Sequence, residues 1–446
     1  MQVLSPSLVT RSWTWYLVPM NASSSGISTM LSIYILQLGG TVREVAISAF
    51  LSGLAVTFGA IFWGKLMDAL EWRKVILLIS AASMVALGSS VYLVHDVPEV
   101  ILISVLIAFF TAGAGPVTNL LVMEKSGKEN MLKTFSWTSL ISCGGLVIAM
   151  VAGYLWLMDH DVRSYAALCA VMALSSLVLT ILLVKSPLDG KEKKKERRKV
   201  SYRSALCNLK SVSFRTVKPA AFSLSSMRSL LSRKEFLFFF GVALYFLSGN
   251  LIYTPYTPFL KENNITDSQV FLAYTVLHLS KVVFLPFNNR IVSKREDVMS
   301  RWSYLPRMTG AGLMTIAAVF FAGSPFSVLA FTLAAFILVD GIGFSLWSTT
   351  TTTALLKMIP DGKGGNMAGT NSSVTGAGQL VGSIMAGGMA ASFGYGSSFI
   401  LGIGFLVVSL VLMTKFFKKK ALPTIPEKAP APLLPATAKV LEVTDN

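Results

Sequence analysis

The chain has 446 residues, of which 53% are hydrophobic and 14% charged, with a formal net charge of +17; soluble chains carry roughly 25% charged residues. This composition excludes an ordinary water-soluble domain and implies lipid as the solvent for much of the surface. The positive charge does not point to nucleic acid, because it gathers in the connections between apolar blocks, where membrane topology and anionic lipid account for it.

A spanning helix needs about 20 mostly apolar residues to cross roughly 30 Å of hydrocarbon. In chain order the predicted spans are 13–37, 45–63, 75–94, 100–123, 135–157 and 165–184, then 236–260, 268–287, 302–322, 325–358, 366–393 and 395–417. The tenth is too long to be embedded along its whole length. The organisation is a short tail (1–12), a six-helix bundle (13–184), a basic loop (185–234), a second six-helix bundle (235–417) and a Pro-rich tail (418–446). The fold class is therefore an all-α membrane protein with twelve transmembrane helices.

Basic residues are retained on the cytoplasmic side. With both termini inside, the odd-numbered loops hold only Arg43, Arg163 and Lys261, Lys281 and Arg307 lie well within spans, and the other 34 of 39 Lys and Arg fall in the cytoplasmic connections and tails or at the cytoplasmic ends of spans. A multi-pass protein of the cell membrane with cytoplasmic termini is the expectation. No cleavable signal peptide is evident, and Trp13 and Trp15 have the character of interfacial anchors. The basic loop opens with the run from Lys191 to Lys199, a solvated segment, and 223–234 has the composition of a short helix at the lipid surface. Pro423, Pro426, Pro430, Pro432 and Pro435 disfavour a helix in the tail.

The cysteines Cys143, Cys169 and Cys207 fall in two spans and a cytoplasmic loop, which argues against a structural disulfide. His95, His160 and His278 are far apart, and neither a Cys/His metal spacing nor a nucleophile motif or phosphate-cradling loop stands out. An enzyme is not expected, and no catalytic residue, metal or cofactor is assigned.

Six plus six around a basic loop is the pattern of a duplicated transporter. Between spans 2 and 3 the chain reads Gly64-Lys65-Leu66-Met67-Asp68-Ala69-Leu70-Glu71-Trp72-Arg73-Lys74. Through Gly64, Leu66, Asp68, Arg73 and Lys74 this resembles the loop signature of the major facilitator superfamily (MFS), with Glu71 and Trp72 where the family usually has a glycine and another basic residue. The resemblance implies two pseudo-symmetric bundles that rock about a central cavity, a monomer, and a small-molecule substrate with a coupling proton or other ion as a further partner. It also implies a conformational latch, in which Asp68 pairs with Arg73 or Lys74 or caps the N-terminus of span 11 after 361–365. An anion there is favoured by about 0.3–1 kcal/mol, and Gly64 would permit close helix approach. Two family patterns are missing: span 4 has Pro116 and Asn119 but no arginine, and span 5 has glycines but no Gly-Pro pair.

Charges inside the membrane are costly and mark function or fixed pairs. Lys281 and Asp340 both fall about 20 Å deep at 1.5 Å per residue, so they are expected to pair, facing the cavity of the C-terminal half or simply fixing two helices. Arg307 is placed nearer the cytoplasmic end, where its side chain would snorkel. His278 lies one turn from Lys281 and has either a titrating or a packing role. Proline breaks in the first span of each half, at Pro19, followed by Ser23, Ser24 and Ser25, and at Pro255 and Pro258, are a further pointer to a binding site. Asn21, Asn119, Asn250, Tyr253, Asn371 and Gln379 are the polar candidates for substrate contact, each of which also suits an interhelical hydrogen bond. Small residues at Gly378, Gly382, Ala386, Ala390 and Gly394, and at Gly145, Ala149 and Gly153, mark faces for close packing or sliding.

The leading expectation is alternating-access transport of a small organic solute, with export of an amphipathic compound favoured by the aromatics and methionines. The alternatives are uptake of a sugar, organic acid or amino acid, and a non-transporting sensor on the same scaffold.

Overall fold

In hydrocarbon an unpaired backbone group costs several kcal/mol, so an embedded chain closes its hydrogen bonds within helices. The computed structural model accordingly has no strand among the described residues, which are 8–70, 73–184, 233–292, 296–358 and 364–418. A 3-10 segment, Leu8–Tyr16, leads into α1 (Leu17–Gln37), followed by α2 (Val42–Leu70), α3 (Arg73–Ser90), α4 (Val97–Thr111), α5 (Ala114–Trp156) and α6 (Val162–Leu183). The second half comprises α7 (Arg233–Tyr253), α8 (Tyr256–Glu262), α9 (Asp267–Val292), α10 (Glu296–Trp302), α11 (Tyr304–Phe320) and α12 (Pro325–Phe336). A π-helical segment (Ile337–Phe344) then leads to α13 (Ser345–Met358), α14 (Gly364–Phe393) and α15 (Tyr395–Lys418).

Nine stretches among the described residues are long and apolar enough to cross a membrane. The other three predicted spans are also helical: α1 and α14 are diluted by Ser, Thr, Gly and Asn, and α11 has 17 residues. The helical backbone of α5 continues through the predicted connection at 124–134, yet the chain reverses there. Tyr16 and Thr118 are hydrogen-bonded at 2.8 Å, and Gly145 abuts Val18 and Asn21. Both arms of α5 thus lie beside the start of α1, whereas a straight helix would hold Thr118 and Gly145 about 40 Å apart.

The two proline signals resolve differently. Pro19 sits in the first turn of α1, where its missing N–H costs nothing, so the first span changes from 3-10 to α without the break foreseen there. The second signal is a true interruption: α7 stops at Tyr253 and α8 restarts at Tyr256 with Pro255 as its N-cap.

Within the first half, α1 packs on α5 and α6, α2 on α4, and α3 on α4 and α6; within the second, α7 packs on α14 and α15, and α11 on α15, α12 and the π segment. Between halves α5 meets α9, α2 meets α14 and α1 meets α8. Several of these meetings cluster at the end carrying the loops after α1, α5 and α8. There Gln37 Nε2 donates to Asp267 Oδ2 at 2.8 Å, and Ser268 Oγ donates to the Tyr154 carbonyl at 3.0 Å. Gly153 gives room to the Phe271 ring, and Gly387 lies against Ala46. The small-residue face of α14 has a different partner from these: Gly378 and Gly382 lie on the backbone of α7 at Ala243 and Leu247, a close contact inside the second half.

The expected surface helix at 223–234 falls almost wholly outside the described residues, as do the rest of the basic loop before Arg233 and the tail beyond Lys418.

Candidate functional site

Three helices of the second half converge on Asp340. The residue sits in the π segment, whose wider turn is uncommon and frequent at functional sites, and Ser345 Oγ donates to the Asp340 carbonyl at 3.0 Å. Glycines make the approach of neighbouring helices feasible: a Cβ on Gly341 would strike Ser280 of α9, and one on Gly343 would crowd Arg307 of α11. Lys281 Nζ lies 2.5 Å from Asp340 Oδ2, with side-chain exposures of 18% and 4%. Tyr253, the last residue of α7, donates its hydroxyl hydrogen to Asp340 Oδ1. The predicted pair is therefore present, and Tyr253 joins it.

Arg307 does not snorkel. It is 2% exposed, with its guanidinium carbon 4.0 Å from the centre of the Tyr245 ring, and Tyr245 stacks on Trp347 with centroids 3.7 Å apart. Counting depth along α11 alone missed the neighbours that enclose the side chain: Gly249 and Gly343 leave it space, and the two aromatics cover it. Nε and Nη1 of Arg307 have no hydrogen-bond partner among the described residues. The Phe344 ring is shared by both cations, 5.1 Å from Lys281 Nζ and 6.0 Å from the Arg307 guanidinium carbon. Two cations and one carboxylate thus meet in a low-dielectric setting, where charges interact strongly and cannot easily be left unpaired.

One turn along α9 from Lys281, a cavity of about 370 Å³ opens between α1, α5 and α9. Asn21, Ser24, Ser25, Ser28, Thr29 and Ser32 line it from α1, Leu146 from α5, and Tyr274 and His278 from α9. Both halves of the molecule contribute. The α1 residues recur every three or four positions, which places them on one helix face. His278 Nδ1 is buried without a hydrogen-bond partner among the described residues.

The remaining polar candidates separate. Asn21 lines the cavity, although its amide donates to the Leu17 carbonyl at 2.8 Å. Asn250 instead ties α7 to α14, accepting from Ser383 Oγ at 3.1 Å. Asn119 and Gln379 are exposed on α5 and α14, and Asn371 is half-buried near the start of α14; none of the three lines this cavity. Residues that the sequence reading passed over are Tyr274, Ser28 and Ser32 at the cavity, and Tyr245, Phe344 and Trp347 around the cations. Only the serines carried a signal, their period along α1.

At the predicted latch, Lys74 Nζ donates to the Ile181 carbonyl of α6 at 2.7 Å, which anchors the start of α3 to its own half. The side chain of Asp68 and the whole of 359–363 lie outside the described residues. Leu66 is half-buried against the hydrophobic core, and a Cβ on Gly64 would meet nothing among the described residues, while the segment 361–363 that the expected approach involves lies outside them.

Residues 17–375 match the sequence model of the Major Facilitator Superfamily. No curated protein sequence matches the chain. Among solved structures, a POT family transporter in complex with 5-aminolevulinic acid is similar with a TM-score of 0.71 at 13% identity, covering 92% of this chain and 96% of that one. A D-xylose–proton symporter gives 0.66 at 14% identity over 92% and 97%. The nucleoside transporter NupG gives 0.64 at 13% identity over 93% and 100%. At such identities the likeness is one of fold.

Proposed function

The chain belongs to the major facilitator superfamily, a transporter rather than an enzyme, and from that premise we propose that it carries a small polar solute by alternating access. In this reading the solute binds in the cavity between α1, α5 and α9, and Lys281, Asp340 and Tyr253 form the coupling cluster. The observation that carries it is the buried Lys281–Asp340 pair at 2.5 Å, on the same helix as a cavity wall formed by Tyr274 and His278. An intramembrane ion pair is expensive to desolvate, and here it lies one helical turn from a polar cavity to which both halves contribute.

The cluster joins α7, α9 and the π segment, all in the second half. While Lys281 and Tyr253 hold Asp340, α9 is tied to α7 and to the π segment. Loss of the pair, through a proton or ion on Asp340 or through movement of α9, releases the cavity wall. The contacts of Gln37 with Asp267 and of Phe271 with Gly153 close the end expected to face outward, so the cavity in this state serves the cytoplasmic side. The polar lining favours a hydrophilic metabolite over the amphipathic compound that composition suggests. Asp68, with Arg73 and Lys74, completes the proposal as the latch at the opposite end.

The test is proton movement in proteoliposomes loaded with a pH dye and challenged with sugars, nucleosides, amino acids and organic acids. A solute that enters with a pH change in the wild type, and without one in Asp340→Asn, supports the coupling role. Equal pH changes in both remove Asp340 from coupling.

A further inference from the structure

We propose that the cavity between α1, α5 and α9 recognises an uncharged, polyhydroxylated solute of about monosaccharide size through the hydroxyls of Ser24, Ser25 and Ser28 and the imidazole of His278. The inference rests on the transport reading above and adds the class of substrate.

Three observations carry it. First, the nine lining residues include no Asp, Glu, Lys or Arg. A charged ligand held there would lose hydration without a compensating partner in the lining, which costs far more than burying a hydrogen-bonded hydroxyl. Second, the lining is poor in aliphatic surface: Leu146 is its one aliphatic side chain, and Tyr274 offers a ring against which the apolar face of a sugar can lie. An amphipathic compound needs a mostly apolar pocket. Third, half of the polar lining is unspent: Asn21, Thr29, Ser32 and Tyr274 hydrogen-bond within the protein, and Ser24, Ser25, Ser28 and His278 are left. Serine and threonine in an embedded helix ordinarily satisfy their hydroxyls on a carbonyl one turn back, as Ser32 does on Ser28, Thr180 on Ser176 and Thr275 on Phe271. The side-chain hydroxyls of Ser24, Ser25 and Ser28 make no hydrogen bond among the described residues, and His278 Nδ1, across the cavity on the other half, makes none either.

Each hydroxyl both donates and accepts, and neutral imidazole offers one of each, so the array matches a ligand whose own groups are hydroxyls. Its 370 Å³ lies within the range of about 300–1,000 Å³ usual for small-molecule sites. Because α1 belongs to one half and α9 to the other, a polyol spanning the two would report its occupancy to the helix that carries Lys281.

The experiment uses the full chain in proteoliposomes and in detergent, with D-xylose, myo-inositol and uridine as uncharged probes, and lactate, glutamate and tetraphenylphosphonium as charged ones. Binding is read by thermal shift and translocation by counterflow. The expected result is that at least one uncharged probe stabilises the wild type and exchanges in counterflow. Its affinity falls about tenfold or more in the Ser25→Ala/Ser28→Ala variant, as loss of ligand hydrogen bonds predicts, but not in Ser175→Ala, a substitution on the exposed face of α6. Alanine favours helix, so failure to fold does not mimic the loss. Counterflow of a charged probe with no response to the uncharged ones overturns the substrate class and leaves the transport reading standing. Serine-dependent binding of a polyol without counterflow upholds the class and overturns transport. Binding of a polyol equally by wild type and the double variant, or of no uncharged probe at all, overturns the site.

Discussion

Replacing Asp340 with asparagine, Lys281 with methionine, and both together forms a thermodynamic cycle on the buried pair. Removing one partner of a buried pair costs about 3–5 kcal/mol, because the other charge remains desolvated. Asp340→Asn belongs at the lower end, about 3 kcal/mol, since an amide oxygen can still accept from Tyr253 and Lys281 keeps 18% of its side chain exposed. Lys281→Met belongs at the upper end, because it strands a carboxylate that is 4% exposed. The double variant leaves neither charge stranded and should cost no more than Asp340→Asn alone. With an unfolding entropy of about 2.1 cal/mol/K per residue over 446 residues, 3 kcal/mol lowers the midpoint by about 3 °C. Thermal unfolding of detergent-purified protein followed by tryptophan fluorescence measures all three. Additive losses, agreeing within about 0.5 kcal/mol, would refute the reasoning that the two charges depend on each other.

Tyr253→Phe removes a hydrogen bond to a carboxylate, worth about 1.5–3 kcal/mol, and should lower both the unfolding midpoint and the rate of solute flux. Arg307→Met exchanges a buried cation with two unpartnered donors for an apolar side chain; against the lost stacking on Tyr245, worth about 2 kcal/mol, the relief of desolvation should leave thermal stability unchanged or raised while flux falls. A large loss of stability would instead mean that the guanidinium is structurally paired. Gly153→Leu puts a side chain into the space of the Phe271 ring, an overpacking penalty of about 1–3 kcal/mol borne by the state in which α5 and α9 touch. Labelling of Ser268→Cys by a water-soluble maleimide should accordingly speed up in that variant.

The overall architecture was legible because its causes act along the sequence: lipid demands apolar blocks of fixed length, and the basic residues between them mark the organisation. The Lys281–Asp340 pair was legible for the same reason, since a charge in an apolar helix stands out and its depth follows from counting. Arg307 was misjudged by the identical count, because burial there depends on Tyr245 and Gly249 of α7 and Gly343 of the π segment, which no linear distance conveys. The π segment has no sequence signature comparable to a helix cap; its glycines, Gly341 and Gly343, read equally well as packing. Polar residues proved ambiguous one at a time. Asn250 looked as suited to a ligand as Asn21, and only the position of Ser383 on a neighbouring helix separates an interhelical tie from a cavity wall. The serines of α1 were visible as a cluster at 23–25, but the face they share with Ser28 and Ser32 acquires meaning from His278 across the gap.

The most direct test of alternating access joins the two halves at the closed end. Ala46→Cys and Gly387→Cys are placed on facing helices in contact, in a chain whose natural Cys143, Cys169 and Cys207 have been replaced. Oxidative cross-linking is then followed by solute counterflow in proteoliposomes before and after reduction. Alternating access predicts that the cross-link stops counterflow and that reduction restores it. Counterflow that continues with this end locked would contradict it.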